Sequence, residues 1–147
     1  MLKILIVDDE PDICELIHKL IDWKELGLLS LGSCQNGIDA MEIILRQKPD
    51  VVITDIQMPG MTGLSLIEKA CKQNLQTKFI VISGYREFEY AQQAIRYGVE
   101  DYLLKPISKT DLNLVLKRLI QESGVTLEKE AHENNMRSEI WQKTAIL

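Results

Sequence analysis

No stretch of this 147-residue chain approaches the roughly 20 consecutive apolar residues that a membrane span needs. The first apolar run is too short for a signal peptide and ends in acid, so none is expected. An excess of positive charge is missing as well. Seventeen Lys and Arg against 22 Asp and Glu leave a formal charge of −5, which argues against unaided nucleic-acid binding, since that shows a clustered basic footprint. Cysteine is sparse and irregular: Cys14, Cys34 and Cys71 suit neither a disulfide framework nor a zinc site, and read as reduced thiols. His18 and His132 have no partnering motif and read as bystanders. No internal repeat or low-complexity segment is visible. What remains is the profile of an acidic cytosolic globular protein, 46% apolar and 27% charged, long enough for one domain and a short appendage.

The most informative stretch that is present is "LKILIVDDEPD", Leu2 to Asp12. Consecutive Ile, Leu and Val read as a strand buried on both faces, because a strand with one wet face would alternate. The run stops at two aspartates, Asp8 and Asp9, and one is enough to cap a helix. "PDVVITD" repeats the pattern and ends in Asp55, "KFIVISGY" ends in Ser83 and Gly84, and "EDYLLKP" ends in Lys105 and Pro106. A shorter strand is expected around Leu28 to Cys34.

Between these strands lie helical patterns. Ile13, Leu16, Ile17 and Leu20 share a face, with Pro11 where a helix tolerates it. Beyond the breakers Asn36 and Gly37, the spacing of Ile38, Met41 and Leu45 predicts a second helix, and that of Leu64, Ile67 and Cys71 a third after the turn "MPGMTG". The fourth, from about Glu87 to Tyr97, has a thin face of Phe88, Ala91 and Ile95, which suggests a loosely held element. Leu112, Val115, Leu116 and Leu119 mark the fifth. Five strands alternating with five helices imply a doubly wound α/β fold, a parallel sheet between two helical layers.

In such a sheet ligands bind at the carboxyl ends of the strands. Asp8, Asp9, Asp55, Ser83 and Lys105 all fall there, from four strands. Two carboxylates about 4 Å apart repel by on the order of 4 kcal/mol at an effective dielectric near 20, so three of them call for a cation. Carboxylate oxygens with a phosphate partner are the usual setting for Mg²⁺, while Lys105 and the Ser83 hydroxyl are suited to phosphoryl oxygens.

The acid pair after strand one, "DIQMP" after strand three, Ser83 after strand four and "KP" after strand five together resemble the receiver domain of bacterial response regulators, over roughly Leu2 to Gln121. The resemblance implies a flavodoxin-like sheet of order 2-1-3-4-5. It implies that Asp55 takes a phosphoryl group from a phosphohistidine of a sensor histidine kinase, with autocatalytic transfer and slow hydrolysis as the only enzymatic activity. It further implies that Asp9, Asp55 and the backbone carbonyl of Gln57 ligate Mg²⁺, that Asp8 acts through a bound water, and that Lys105 and Ser83 hold phosphoryl oxygens. Tyr102 matches the family's switch aromatic, beside an ordinary reading as a half-buried strand tyrosine. The Lys105–Pro106 bond matches a family position that is cis, against about 5% of such bonds in general.

"IDWKELGL" and "SGYREFEYAQQAIRYGVEDYLLKPI" are similar to receivers that precede an AraC-type DNA-binding region, which implies transcriptional output, DNA contact only through an effector absent from these residues, and a homodimer on phosphorylation. A stand-alone receiver that docks to a protein is the alternative. A flavin protein of the same strand order would need a hydroxyl- and Gly-rich loop where "DDEPD" stands, and a turnover enzyme using an aspartyl phosphate would want a second acid where Gln57 stands. Residues 1–122 are expected to form the receiver. Residues 123–147 read as a helical linker or tail, with Leu127, Ala131, Asn134, Ser138, Trp141 and Ala145 at the spacing of a weak coiled-coil seam.

Overall fold

A computed structural model describes residues 1–84 and 88–124. All five expected strands form: β1 (Lys3–Val7), β2 (Leu29–Cys34), β3 (Val51–Thr54), β4 (Lys78–Ser83) and β5 (Asp101–Leu104). They make one parallel sheet in the order β2-β1-β3-β4-β5. β1 therefore lies between β2 and β3, and the chain reverses its winding direction after β2. That reversal opens a crevice at the carboxyl ends of β1 and β3.

Side-chain alternation explains the unbroken apolar runs. Ile4 and Ile6 of β1 point to one core, with Cys14, Ile17, Ile53, Ile80, Ile82, Leu112, Leu116 and Leu119. Leu5 and Val7 point to the other, with Ala40, Met41, Ile44, Val52, Ile67, Phe79, Val81 and Ala94. A strand that feeds two cores has no wet face on which to place a polar residue. β5, at the sheet's edge, is only partly buried.

Six helices are described rather than five: α1 (Pro11–Leu20), α2 (Trp23–Leu26), α3 (Gly37–Gln47), α4 (Gly63–Lys72), α5 (Phe88–Arg96) and α6 (Lys109–Ser123). The additional one, α2, is a single turn, too short for apolar periodicity to register. It is held from outside itself: the Trp23 indole N–H donates to the His18 carbonyl at 2.7 Å, and the Asp22 N–H donates to Asn113 Oδ1 at 3.0 Å.

The phase of several helices also differs from the sequence expectation. On α1, Cys14 and Ile17 are buried while Leu16 is exposed, and on α3, Ala40, Met41 and Ile44 face inward while Ile38 is 62% exposed and Leu45 is exposed. On α4, Leu66, Ile67 and Ala70 are buried and Cys71 is exposed; on α5, Ala94 is buried and Ile95 is 68% exposed. Ranking residues by bulk misplaces a face where a helix packs close, because close packing selects small side chains. Gly37 illustrates this, since a Cβ there would overlap Met61. Only α6 presents the face expected of it, Leu112, Val115, Leu116 and Leu119.

Side-chain caps start α3, α4 and α6: Asn36 accepts from the Asp39 N–H, Thr62 from the Ser65 N–H and Ser108 from the Asp111 N–H. α1 differs. Its N-cap is Glu10, which makes no side-chain cap bond, so Asp8 and Asp9 do not stand at the capping position. α6 ends at Gly124, whose φ of 79° terminates the helix in a left-handed conformation. The expected linker seam from Leu127 to Ala145, and His132, lie outside the described residues, as do the three residues before α5.

Candidate functional site

The backbone ladder runs one residue past the strand ends and fixes the site residues at their main chains. The Asp8 N–H donates to the Cys34 carbonyl at 3.1 Å, Asp55 N–H to the Val7 carbonyl at 3.1 Å, and Lys105 N–H to the Ser83 carbonyl at 2.9 Å. Beneath Asp55 the start of α4 approaches so closely that a Cβ on Gly63 would collide with the Asp55 carbonyl. The Gly63 N–H donates to the Ile56 carbonyl at 2.8 Å, which locks that approach.

On this frame the carboxylates of Asp8, Asp9 and Asp55 converge, with one oxygen from each lying within 4.8 Å of the others. Asp8 is 1% and Asp55 7% exposed, and Asp9 is the most accessible. The Lys105 ammonium lies 3.3 Å from Asp8 Oδ2 and 3.3 Å from Asp55 Oδ2. The other oxygens accept backbone donors: Asp8 Oδ1 from the Glu10 N–H at 3.0 Å, and Asp55 Oδ1 from the Ile56 N–H at 2.7 Å.

Among the described residues three carboxylates thus face one ammonium, and the electrostatics register the shortfall. Burial, and then the charge of Asp55, push the Asp8 carboxyl above its ordinary value, against the opposing Glu10 N–H and Lys105. For Lys105 burial is the largest influence and acts downward, but Asp55 and Asp8 together overcome it and hold the ammonium's pKa up. An all-oxygen cluster of three acids, two of them buried, that Lys105 alone does not neutralise fits a hard divalent cation such as Mg²⁺.

The sequence-derived site residues are placed as follows. Asp8, Asp9, Asp55 and Lys105 come together. Ser83 is fully buried at the end of β4, tied to Lys105 through the backbone bond above. Gln57, two residues beyond Asp55, is half-buried, and its side-chain N–H donates to the Tyr90 hydroxyl of α5 at 2.6 Å. Tyr102, on β5, is half-buried against the core that includes α3, α4 and α5. The Lys105–Pro106 peptide is cis.

Sequence reasoning missed Gly63, which "MPGMTG" signals only as a turn, and the Gln57–Tyr90 bond, for which no local signal exists. Among the described residues no helix is long and apolar enough to cross a membrane.

Residues 4–117 match the response regulator receiver domain model. The chain is 44% identical over 135 residues to the uncharacterized transcriptional regulatory protein YesN of Bacillus subtilis, covering 90% of this chain and 37% of YesN. It is 35% identical over 121 residues to the transcriptional regulatory protein HptR of Staphylococcus aureus, covering 82% and 47%. The chain therefore spans less than half the length of these relatives.

Among solved structures, the REC domain of AraT, a response regulator from Geobacillus stearothermophilus, superposes with a TM-score of 0.77 at 41% identity, covering 83% of this chain and 95% of that one. A DNA-binding response regulator of the LuxR family from Staphylococcus aureus gives 0.74 at 31% identity, covering 81% and 98%. The family match and these relatives define a signalling domain of the two-component class. The chain belongs to the response regulator receiver family, and its relatives include bacterial transcriptional regulators.

Proposed function

We propose that Asp55 is the phosphoacceptor of a two-component relay. The reading rests above all on the position of its carboxylate, which faces the acid pair on one side and the Lys105 ammonium on the other. A carboxylate oxygen of Asp55 attacks the phosphorus of a phosphohistidine on a sensor histidine kinase. The P–O bond forms as the P–N bond breaks, and the histidine departs. Such a transfer asks for positioning and charge neutralisation rather than covalent chemistry by the protein.

Lys105 and Ser83 hold the phosphoryl oxygens. Asp9, Asp55 and the Gln57 carbonyl would hold Mg²⁺, with Asp8 acting through a bound water, and the cation would supply positive charge to the transferred group. Hydrolysis of the acyl phosphate returns Asp55 slowly, so the domain modifies itself rather than turning over substrate. Acetyl phosphate in Mg²⁺ is expected to label Asp55 stoichiometrically, and sustained phosphate release from small phosphoesters would instead mark a turnover enzyme.

Output follows from the far edge of the sheet. Phosphorylation draws the Ser83 hydroxyl toward the phosphoryl group and lets Tyr102 turn inward, reshaping the face built from α5, β5 and α6. Ile95, Leu104 and Leu114 are exposed apolar side chains on these elements, which suits a homodimer formed there. A beryllofluoride adduct is expected to sediment as a larger species, and a monomer across a wide concentration range would remove the dimer.

In a full-length cytoplasmic protein, residues 1–122 form the receiver and residues 123–147 lead to a DNA-binding effector of transcription. The transcriptional regulatory roles of YesN and HptR, and the share of their lengths that this chain spans, support that output.

A further inference from the structure

The Gln57–Tyr90 hydrogen bond joins the loop after β3 to α5 by a route that passes through neither Ser83 nor Tyr102. On one side is the loop after β3. Its first residues are clamped: Asp55 and Ile56 are held by the close approach of Gly63 and by the Gly63–Ile56 bond. Gln57 is the first residue beyond that clamp, and its side chain leaves the loop toward α5. On the other side α5 is thinly packed, since among its described side chains Ala94 alone is fully buried. Tyr90 and Tyr97 lean half-buried on the core.

Between α4 and α5 an open pocket of about 290 Å³ is lined in part by Gln57, Ser65, Tyr90 and Gln93, so the Gln57 side chain is not enclosed on that side, and the 2.6 Å bond to Tyr90 holds its end toward α5.

We infer that Gln57 and Tyr90 form a tie that pre-organises the Gln57 segment of the acid pocket from α5, so that cation binding at the pocket and the position of α5 are thermodynamically linked. Tyr90 is a positioning residue in this scheme: it touches neither cation nor phosphoryl group and acts through Gln57. Linkage is reciprocal, so whatever orders the Gln57 carbonyl in the pocket also steadies α5, and loosening α5 weakens the pocket. The inference rests on the metal-pocket reading for its binding arm alone.

The experiment compares the wild-type chain with Tyr90→Phe, which keeps the ring and removes the hydroxyl, with Gln57→Ala, and with the double variant. Calorimetric Mg²⁺ titration is expected to show two- to tenfold weaker binding in Tyr90→Phe, the range that one hydrogen bond corresponds to. The double variant should be no weaker than the weaker single one. Amide hydrogen exchange supplies the second readout. Mg²⁺ should slow exchange across α5 in the wild type but not in Tyr90→Phe, and residues 56–62 should exchange several-fold faster in metal-free Tyr90→Phe than in metal-free wild type. Unchanged Mg²⁺ affinity together with unchanged exchange of 56–62, or strictly additive effects in the double variant, would overturn the tie. Wild-type protein that binds no Mg²⁺ would overturn the acid-pocket reading instead, while metal-free exchange of 56–62 still decides the tie.

Discussion

The two edges of the sheet treat charge in opposite ways. At the amino-terminal edge each charge meets a partner: Asp50 Oδ2 accepts from the Lys3 N–H at 2.8 Å, the Lys3 ammonium donates to the Gln47 carbonyl, and Glu100 lies 3.6 Å from both Lys78 and Arg118. Thr77 closes the same edge by donating to the Pro49 carbonyl at 2.8 Å. At the carboxyl-terminal edge three carboxylates gather, and among the described residues Lys105 pairs with two of them, the buried Asp8 and Asp55. A fold built only for stability would pair or remove such charges, because a buried unpaired ion is costly. Among the described residues the buried carboxylates, Asp8 and Asp55, both lie at the edge where the reversal of winding opens a crevice, so the imbalance marks the site and the balance marks the scaffold.

Removing Lys105, the cation that the described residues place at the acid edge, sharpens this contrast most. Lys105→Ala leaves Asp8, Asp9 and Asp55 facing each other, and chemical denaturation is expected to show a loss of about 2 kcal/mol in metal-free protein, less than for a fully buried pair because Lys105 is partly exposed. Added Mg²⁺ should recover much of that loss.

The opposite sign is expected at Asp8. Its folded-state pKa is raised, so its contribution to stability is present below the unfolded-state value and lost as pH rises through the folded-state one. Ionised Asp8 therefore destabilises the metal-free fold at neutral pH. Asp8→Asn is expected to raise the thermal midpoint by a few degrees, about 1 kcal/mol, to flatten the gain seen on acidifying the wild type, and to weaken Mg²⁺ binding. A lower midpoint would break the comparison, since Asp8 would then behave as the amino-edge charges do.

The smallest effect belongs to the balanced edge. Glu100→Gln removes the carboxylate between Lys78 and Arg118, both well exposed, and equilibrium unfolding should shift by less than about 1 kcal/mol. Mg²⁺ affinity should not change.

Much of this contrast is legible in the sequence, for a physical reason. A strand buried on both faces has no polar positions, so the first acid after "KILIV" or "VVIT" announces both the end of the strand and the crevice. The same logic locates Lys105 and Ser83. Helix faces are less legible because they depend on interhelical distance, which bulk does not encode; Ile38 and Ile95 read as core and lie in solvent, while Ala40 and Ala94 take their places. The tie from Gln57 to Tyr90 spans 33 residues, and the clamp of Gly63 under Asp55 depends on a close approach in space. Neither leaves a periodic trace.

Phosphorylation of Asp55 is the role proposed for this charge imbalance. Intact-mass measurement after incubation with acetyl phosphate and Mg²⁺, on the wild type and Asp55→Ala side by side, tests it most directly. The expected result is one added phosphoryl group per wild-type chain, lost when the metal is chelated, and none on Asp55→Ala. An Asp55→Ala chain that gains the group, or a wild-type chain that does not, would contradict the account.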